Sequence, residues 1–140
     1  MRVLFLCSGN SCRSQMAEGW MRHLRGDRVE AFSAGVERRG VDPVAVKVMA
    51  ELGVDISSQR SKTLAELPSL HFDWVVTLCG RARESCPVFP GGAKVLHRGF
   101  DDPPILAEGA RSEEGVLALY RRVRDEIKEF VERFPPDLAG

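Results

Sequence analysis

The sequence has no apolar run approaching the eighteen or so residues that a membrane-spanning helix requires, so no such helix is expected. Neither charge is in surplus. Twenty Lys and Arg balance twenty Asp and Glu, which removes the basic pattern of nucleic-acid and anionic-membrane binders. There is no internal repeat, no low-complexity tract and no linker. The apolar part of the N-terminus stops at Cys7, too short for a secretory signal, so a cytoplasmic location is expected. Lone histidines carry little: His71 and His97 read as surface or strand-end residues, and His23 falls on the charged side of a helix.

What is present reads as one domain spanning 1–140. A chain of 140 residues buries about 68% of its unfolded surface on folding, enough for a single core. It has four cysteines. In a reducing compartment these point to thiol chemistry or a metal before structural disulfides.

The stretch from Val3 to Leu24 organises the rest. Val3-Leu4-Phe5-Leu6 is a continuous apolar run, the pattern of a strand buried on both faces. It breaks into the small polar loop Cys7-Ser8-Gly9-Asn10-Ser11. From Arg13, the residues Met16, Ala17, Trp20, Met21 and Leu24 recur at helical spacing. A strand, a tight loop and a helix set the loop amides at a helix N-terminus, where unpaired donors and the dipole favour anions. Cys7 and Arg13 bracket that loop as Cys-x5-Arg, with Ser14 next. A thiol beside a helix N-terminus and a cation loses its proton easily. The Arg13 fork matches two oxygens of phosphate or arsenate. Gly9 lets the loop curl, Asn10 suits a left-handed kink, and the Ser14 hydroxyl is placed to donate to a Cys7 thiolate. Taken singly, each residue reads as ordinary packing or surface; together, Cys7, Ser8, Gly9, Asn10, Ser11, Cys12, Arg13 and Ser14 read as an oxyanion site. Cys12 within it reads as packing, with a thiol open to oxidation.

Further along, Val29 to Ser33 reads as a second strand and Ser33-Ala34-Gly35 as the start of a loop. Asp42-Pro43 reads as a helix start, with Val44, Val48, Met49 and Leu52 as its apolar face and Gly53 as its stop. A short helical piece falls near Thr63 to Leu67. Trp74 to Leu78 is the clearest buried strand, and Val95 to His97 is a shorter one. Ser112-Glu113-Glu114 opens a last helix whose stripe is Val116, Leu119, Tyr120, Val123, Ile127, Phe130, Val131 and Phe134, ended by Pro135-Pro136. Strands alternating with helices argue for an α/β fold with a mainly parallel sheet. Ligands in such sheets sit beyond the carboxyl ends of strands, where Cys7 falls.

Cys79 follows the strong strand, and Cys86 lies seven positions on. Two buried apolar cysteines are one reading, and a zinc site with Cys7 and Cys12 is another. The spacings Cys-x4-Cys and Cys-x6-Cys fit zinc poorly, so no metal is expected. A redox relay fits better, with Arg81 and Arg83 favouring thiolate. Asp102 precedes a proline, as turn aspartates commonly do.

CSGNSCRSQMAEGW resembles the motif of the low-molecular-weight protein tyrosine phosphatases, and especially of their relatives, the thioredoxin-coupled arsenate reductases. The likeness continues through SAG at 33–35, VTLCGRARESCP at 76–87, FDDP at 100–103 and RVRDEIK at 122–128. It implies a four-stranded parallel sheet in the order 2-1-3-4 with helices on both faces. It also implies that Asp102, rather than Asp101, is the general acid, and that Cys79 and Cys86 pass a disulfide outward. In the phosphatases that cysteine pair is generally absent, and aromatic residues usually follow the proline, where this chain has Pro104-Ile105. Some reductases of the family bind potassium through residues matching Asn10, Glu18 and Ser33 with an aspartate at the position of Lys62; a lysine there departs from that pattern.

The resemblance implies an arsenate reductase with Cys7 as nucleophile, thioredoxin as reductant, arsenate as substrate and phosphate as competitor. No cofactor, nucleic-acid or membrane partner is expected, and the chain is expected to be a monomer. The alternative is a phosphatase acting through a cysteinyl phosphate, and weak phosphatase activity fits either reading. A non-catalytic oxyanion or redox sensor is the reading from another class.

Overall fold

The computed structural model describes residues 1–135. Four strands form one sheet: β1 (Arg2–Cys7), β2 (Glu30–Gly35), β3 (Trp74–Thr77) and β4 (Lys94–His97). All neighbours are parallel and the order is β2-β1-β3-β4, as the resemblance implied. The register pairs Leu6 with Ala34 on one side and with Thr77 on the other. The ends of β1 and β3 therefore lie side by side at the carboxyl edge.

Alternation along β1 explains why its apolar run is unbroken. Val3, Phe5 and Cys7 face the larger core, built with α1 (Arg13–Arg25), α2 (Pro43–Ala50) and α5 (Glu113–Glu132). Leu4 and Leu6 face a smaller core with Phe72, Val75, Phe89 and Ala82 of α3 (Gly80–Glu84). Truncating a fully buried ring such as Phe5 to Ala costs about 3–5 kcal/mol. Caps set the helix ends. Asp42 Oδ1 accepts from Val44 N at 2.8 Å with Pro43 at the first helical position, and Ser112 Oγ accepts from Gly115 N at 3.0 Å. Gly53, at φ +79°, supplies the left-handed residue after α2.

Several expectations need correction. Ser33-Ala34-Gly35 belongs to β2 and is buried; small residues serve there because the active loop packs on them. A Cβ on Gly35 would lie 2.7 Å from Asn10 N and 2.9 Å from the Gly9 carbonyl carbon. Leu52 lies beyond the end of α2 and is exposed, while Ala45 takes its place on the buried face. In α5 the buried stripe includes Leu117 and Arg124, with Val116 and Leu119 only half-buried. A short helix, α4 (Pro103–Ala107), forms where only a turn was expected. Helix α5 ends at Glu132; Pro136, read as part of its stop, lies outside the described residues. Among the described residues, no helix is long and apolar enough to cross a membrane.

Candidate active site

The loop from Cys7 to Arg13 is held open from behind. The carbonyls of Cys7, Ser8, Gly9 and Ser11 accept from the backbone N–H groups of Val36, Glu37, Arg39 and Asp42 at 2.9–3.1 Å. Ser61 Oγ adds a second bond to Gly9 O at 3.1 Å. Gln15 Nε2 takes Asn10 O at 3.0 Å. A trans peptide points its N–H opposite to its C=O. Tying five carbonyls outward therefore turns the amides of residues 8–12 inward. Asn10 makes the bend at φ +49°, a left-handed conformation its side chain tolerates.

The inward side is a cleft of about 410 Å³ lined by Cys7, Ser11, Arg13, Arg39, Asp102 and Ile105, among others. A larger hollow of about 570 Å³ lies beside α5, but its Arg122 and Arg133 are paired to Asp101, Glu126 and Glu129.

Cys7 is buried, with its Sγ 2.8 Å from Ser14 Oγ. Asn10 Nδ2 donates to the same hydroxyl at 2.8 Å, which leaves the Ser14 proton for the sulfur. Arg13 is also buried. Its Nη1 donates to Phe100 O at 2.9 Å and its Nη2 stands 3.4 Å from Asp102 Oδ2. The FDDP segment thus fixes the guanidinium in place. Its two aspartates part company: Asp102 meets Arg13 in the cleft, whereas Asp101 pairs with Arg122 at 3.1 Å.

Cys79 caps α3. Its Sγ accepts from Ala82 N at 3.4 Å and lies 3.4 Å from Ser8 Oγ, inside the loop. Cys86 lies beyond the end of α3, half-buried in the smaller core, its Sγ 3.6 Å from Pro87 O. All four cysteines are free. The expected thiolate bias from Arg81 and Arg83 is not what Cys86 experiences: burial pushes its thiol up, and Arg81 turns to Glu37 at 3.3 Å. Cys12 is neutral as well. Burial, with help from the charges of Asp42 and Asp102, pushes its thiol well above the ordinary value, against the pull of Arg13.

Lys62 sets an ammonium beside Glu18. Its Nζ stands 3.7 Å from Glu18 Oε1 and donates to Arg60 O at 3.0 Å, while Glu18 also accepts from Ser33 Oγ at 2.6 Å. Among the described residues, no group of three or more His, Cys, Asp or Glu is placed to hold a metal ion.

The sequence did not reveal several residues here. Arg39 lays its stem against Gly9 and pairs with Glu37. Asp42, read only as a cap, also accepts from Tyr120 OH at 2.7 Å, tying the loop support to α5. Gln15 and Gln59 bond each other behind the loop. An exposed arginine and two glutamines carry no periodic signal; the cap at Asp42 was the one clue within reach.

Residues 2–139 match the family described as low molecular weight phosphotyrosine protein phosphatase. An arsenate reductase of Halalkalibacterium halodurans is 50% identical over 132 residues, covering 94% of this chain and 93% of its own. A solved arsenate reductase in a phosphate-binding state shares 31% identity with a TM-score of 0.71, covering 97% of both chains. The thioredoxin-dependent arsenate reductase of Corynebacterium glutamicum shares 27% identity with a TM-score of 0.68, covering 97% of this chain and 62% of its own. With that match over nearly the whole chain, and with the Cys-x5-Arg loop and Asp102 lining one cleft and Ser14 bonded to Cys7, this protein belongs to the low molecular weight phosphotyrosine protein phosphatase family.

Proposed function

We propose that the protein is an arsenate reductase regenerated by thioredoxin. The observation that carries this reading is Cys79, whose sulfur reaches into the loop at Ser8, next to the nucleophile. Ester hydrolysis has no use for a second thiol there. The loop amides and Arg13 hold arsenate, and the Cys7 thiolate attacks arsenic. Asp102 protonates the departing oxygen, which leaves as water. Cys79 then attacks the Cys7 sulfur. The electron pair of the breaking S–As bond stays on arsenic, which departs as arsenite, and a Cys7–Cys79 disulfide remains. Cys86 attacks Cys79, frees Cys7 as thiolate, and leaves Cys79–Cys86 for an external dithiol to reduce. Both electrons come from thiols, so the cycle calls for no cofactor.

A second reading is supported by the same cleft. Asp102 beside Arg13 is the acid that a phosphate ester's leaving group needs, and a cysteinyl phosphate open to water completes hydrolysis. Phosphate and arsenate share shape and charge, so slow phosphatase activity accompanies the reductase.

The test is arsenate-dependent NADPH oxidation with thioredoxin and thioredoxin reductase, run beside a phosphatase assay. Cys7→Ser is expected to abolish both activities. Cys79→Ser and Cys86→Ser are expected to stop repeated arsenate turnover and spare ester hydrolysis. Normal thioredoxin-linked turnover in Cys86→Ser would sink the relay, and absent arsenate turnover with brisk ester hydrolysis would favour the phosphatase.

A further inference from the structure

Four side chains form one directed line into the Cys7 sulfur, and it begins well behind the loop. Gln59 Nε2 donates to Gln15 Oε1 at 2.7 Å, and Gln15 Nε2 donates to Asn10 Oδ1 at 3.0 Å. Asn10 Nδ2 donates to Ser14 Oγ at 2.8 Å, and Ser14 Oγ lies 2.8 Å from Cys7 Sγ.

The two ends of an amide side chain look alike, so the sense of such a line must come from partners of fixed polarity. Every amide here has one. Asn10 Oδ1 accepts from the Lys62 backbone N–H at 2.8 Å. Gln15 Nε2 faces the carbonyls of Asn10 and Arg60, each at 3.0 Å. Gln59 Nε2 faces the Gln15 carbonyl at 3.0 Å. Turning any of the three over sets oxygen against oxygen or N–H against N–H. The arrangement also leaves Gln59 Oε1 buried with no partner among the described residues, a cost that calls for an explanation. The direction of the line supplies one.

We infer that Gln59 and Gln15 are positioning residues that hold the Ser14 proton on the Cys7 sulfur and thereby favour its thiolate. Hydrogen bonds in a chain polarise one another, by about 10–30% per bond, and a bond to the charged form favours that form. The fixed charges and thiols that share the cleft with the sulfur are Arg13 of α1, Cys12 of the loop, Arg39 and Asp42 of the supporting segment, and Asp102 and Glu108 flanking α4; Cys79 stands beside Ser8. A change at Gln59 leaves all of them in place. The inference rests on Cys7 being the nucleophile, as in the proposed function, but not on which oxyanion it attacks.

The test is the pH profile of iodoacetamide alkylation on the whole reduced protein, resolved cysteine by cysteine by mass spectrometry. It compares the wild type with Gln59→Met, which keeps length without a donor, and Gln59→Glu, which aims a carboxylate at two carbonyl oxygens. In Gln59→Met the Cys7 midpoint is expected to rise by about 0.3–0.5 pH unit, or about two- to threefold slower alkylation below it. Gln59→Glu is expected to move it further, and the Cys86 profile to stay fixed in both. An unmoved Cys7 midpoint in Gln59→Met overturns the inference. So does a joint shift of Cys7 and Cys86 with loss of cooperative melting, which would make Gln59 merely structural. No arsenate or ester is consumed, so failure here is distinct from failure of the reductase reading.

Discussion

At the scale of single residues, Lys62 carries the sharpest consequence. Its ammonium stands 3.7 Å from Glu18 Oε1, beside the Arg22–Glu18 pair, where the resemblance implies a potassium ion in some reductases of the family. Exchanging potassium for sodium at fixed ionic strength should therefore leave the turnover rate nearly unchanged. A several-fold activation by potassium alone would show that Lys62 does not serve in its place. The residues gathered at the candidate site were legible because the loop brings most of them together over eight positions, and because Asp102 sits in a short motif of its own. Gln15, Gln59 and Arg39 were not. They act across 44 residues of chain or through uncharged amides, and nothing local marks such a contact.

At the scale of elements, the proposed relay bears most directly on α3. Its five residues are capped by the Cys79 sulfur through Ala82 N and latched outside by the Arg81–Glu37 pair. The helix stops at Glu84, short of the seven steps that would hold Cys79 and Cys86 roughly 10 Å apart, and a disulfide between them needs the two Cα atoms within about 7 Å. Bonding Cys79 to Cys86 also takes its sulfur from the cap. Hydrogen exchange is expected to quicken across 80–92 in the oxidised protein while β1 stays protected; equal protection in both redox states would refute the switch. The strands and longer helices could be read in advance from apolar period and caps. Helix α4 could not, since Pro103-Pro104 reads as a turn until its first-turn position is seen. The end of β2 was missed because Ser-Ala-Gly has little strand propensity and is there for its small size.

At the scale of the whole molecule, α2 is joined to α5 by charge as well as by packing. Hydrogen bonds from Arg121, with help from Arg124, hold the Glu51 carboxyl down at about 2. Arg124 is itself buried, with Nη1 on Val48 O at 2.9 Å. A carboxyl lowered on folding stabilises the native state at pH values above its unfolded value of about 4.3. That contribution fades as pH falls toward 2. The melting temperature of the wild type should thus exceed that of Glu51→Gln at pH 6, and the gap should close between pH 4.5 and 2. A gap independent of pH would assign the link to packing alone.

The strand order has a consequence in time. Of the four strands described, β1 is synthesised first, yet it ends in the middle of the sheet. One neighbour arrives after some thirty residues and the other only with residues 74–77. At roughly 5–20 residues per second, the stretch from β1 to β3 takes about 4–14 s to synthesise. Within that interval the supports from residues 36–42 are already made, but Cys7 and Cys12 still lack β3 beside β1 and the α5 residues of their core. The Asp102 side of the cleft and the α5 wall of the core follow later still, so any oxidant in the cell meets these thiols before their enclosure is complete.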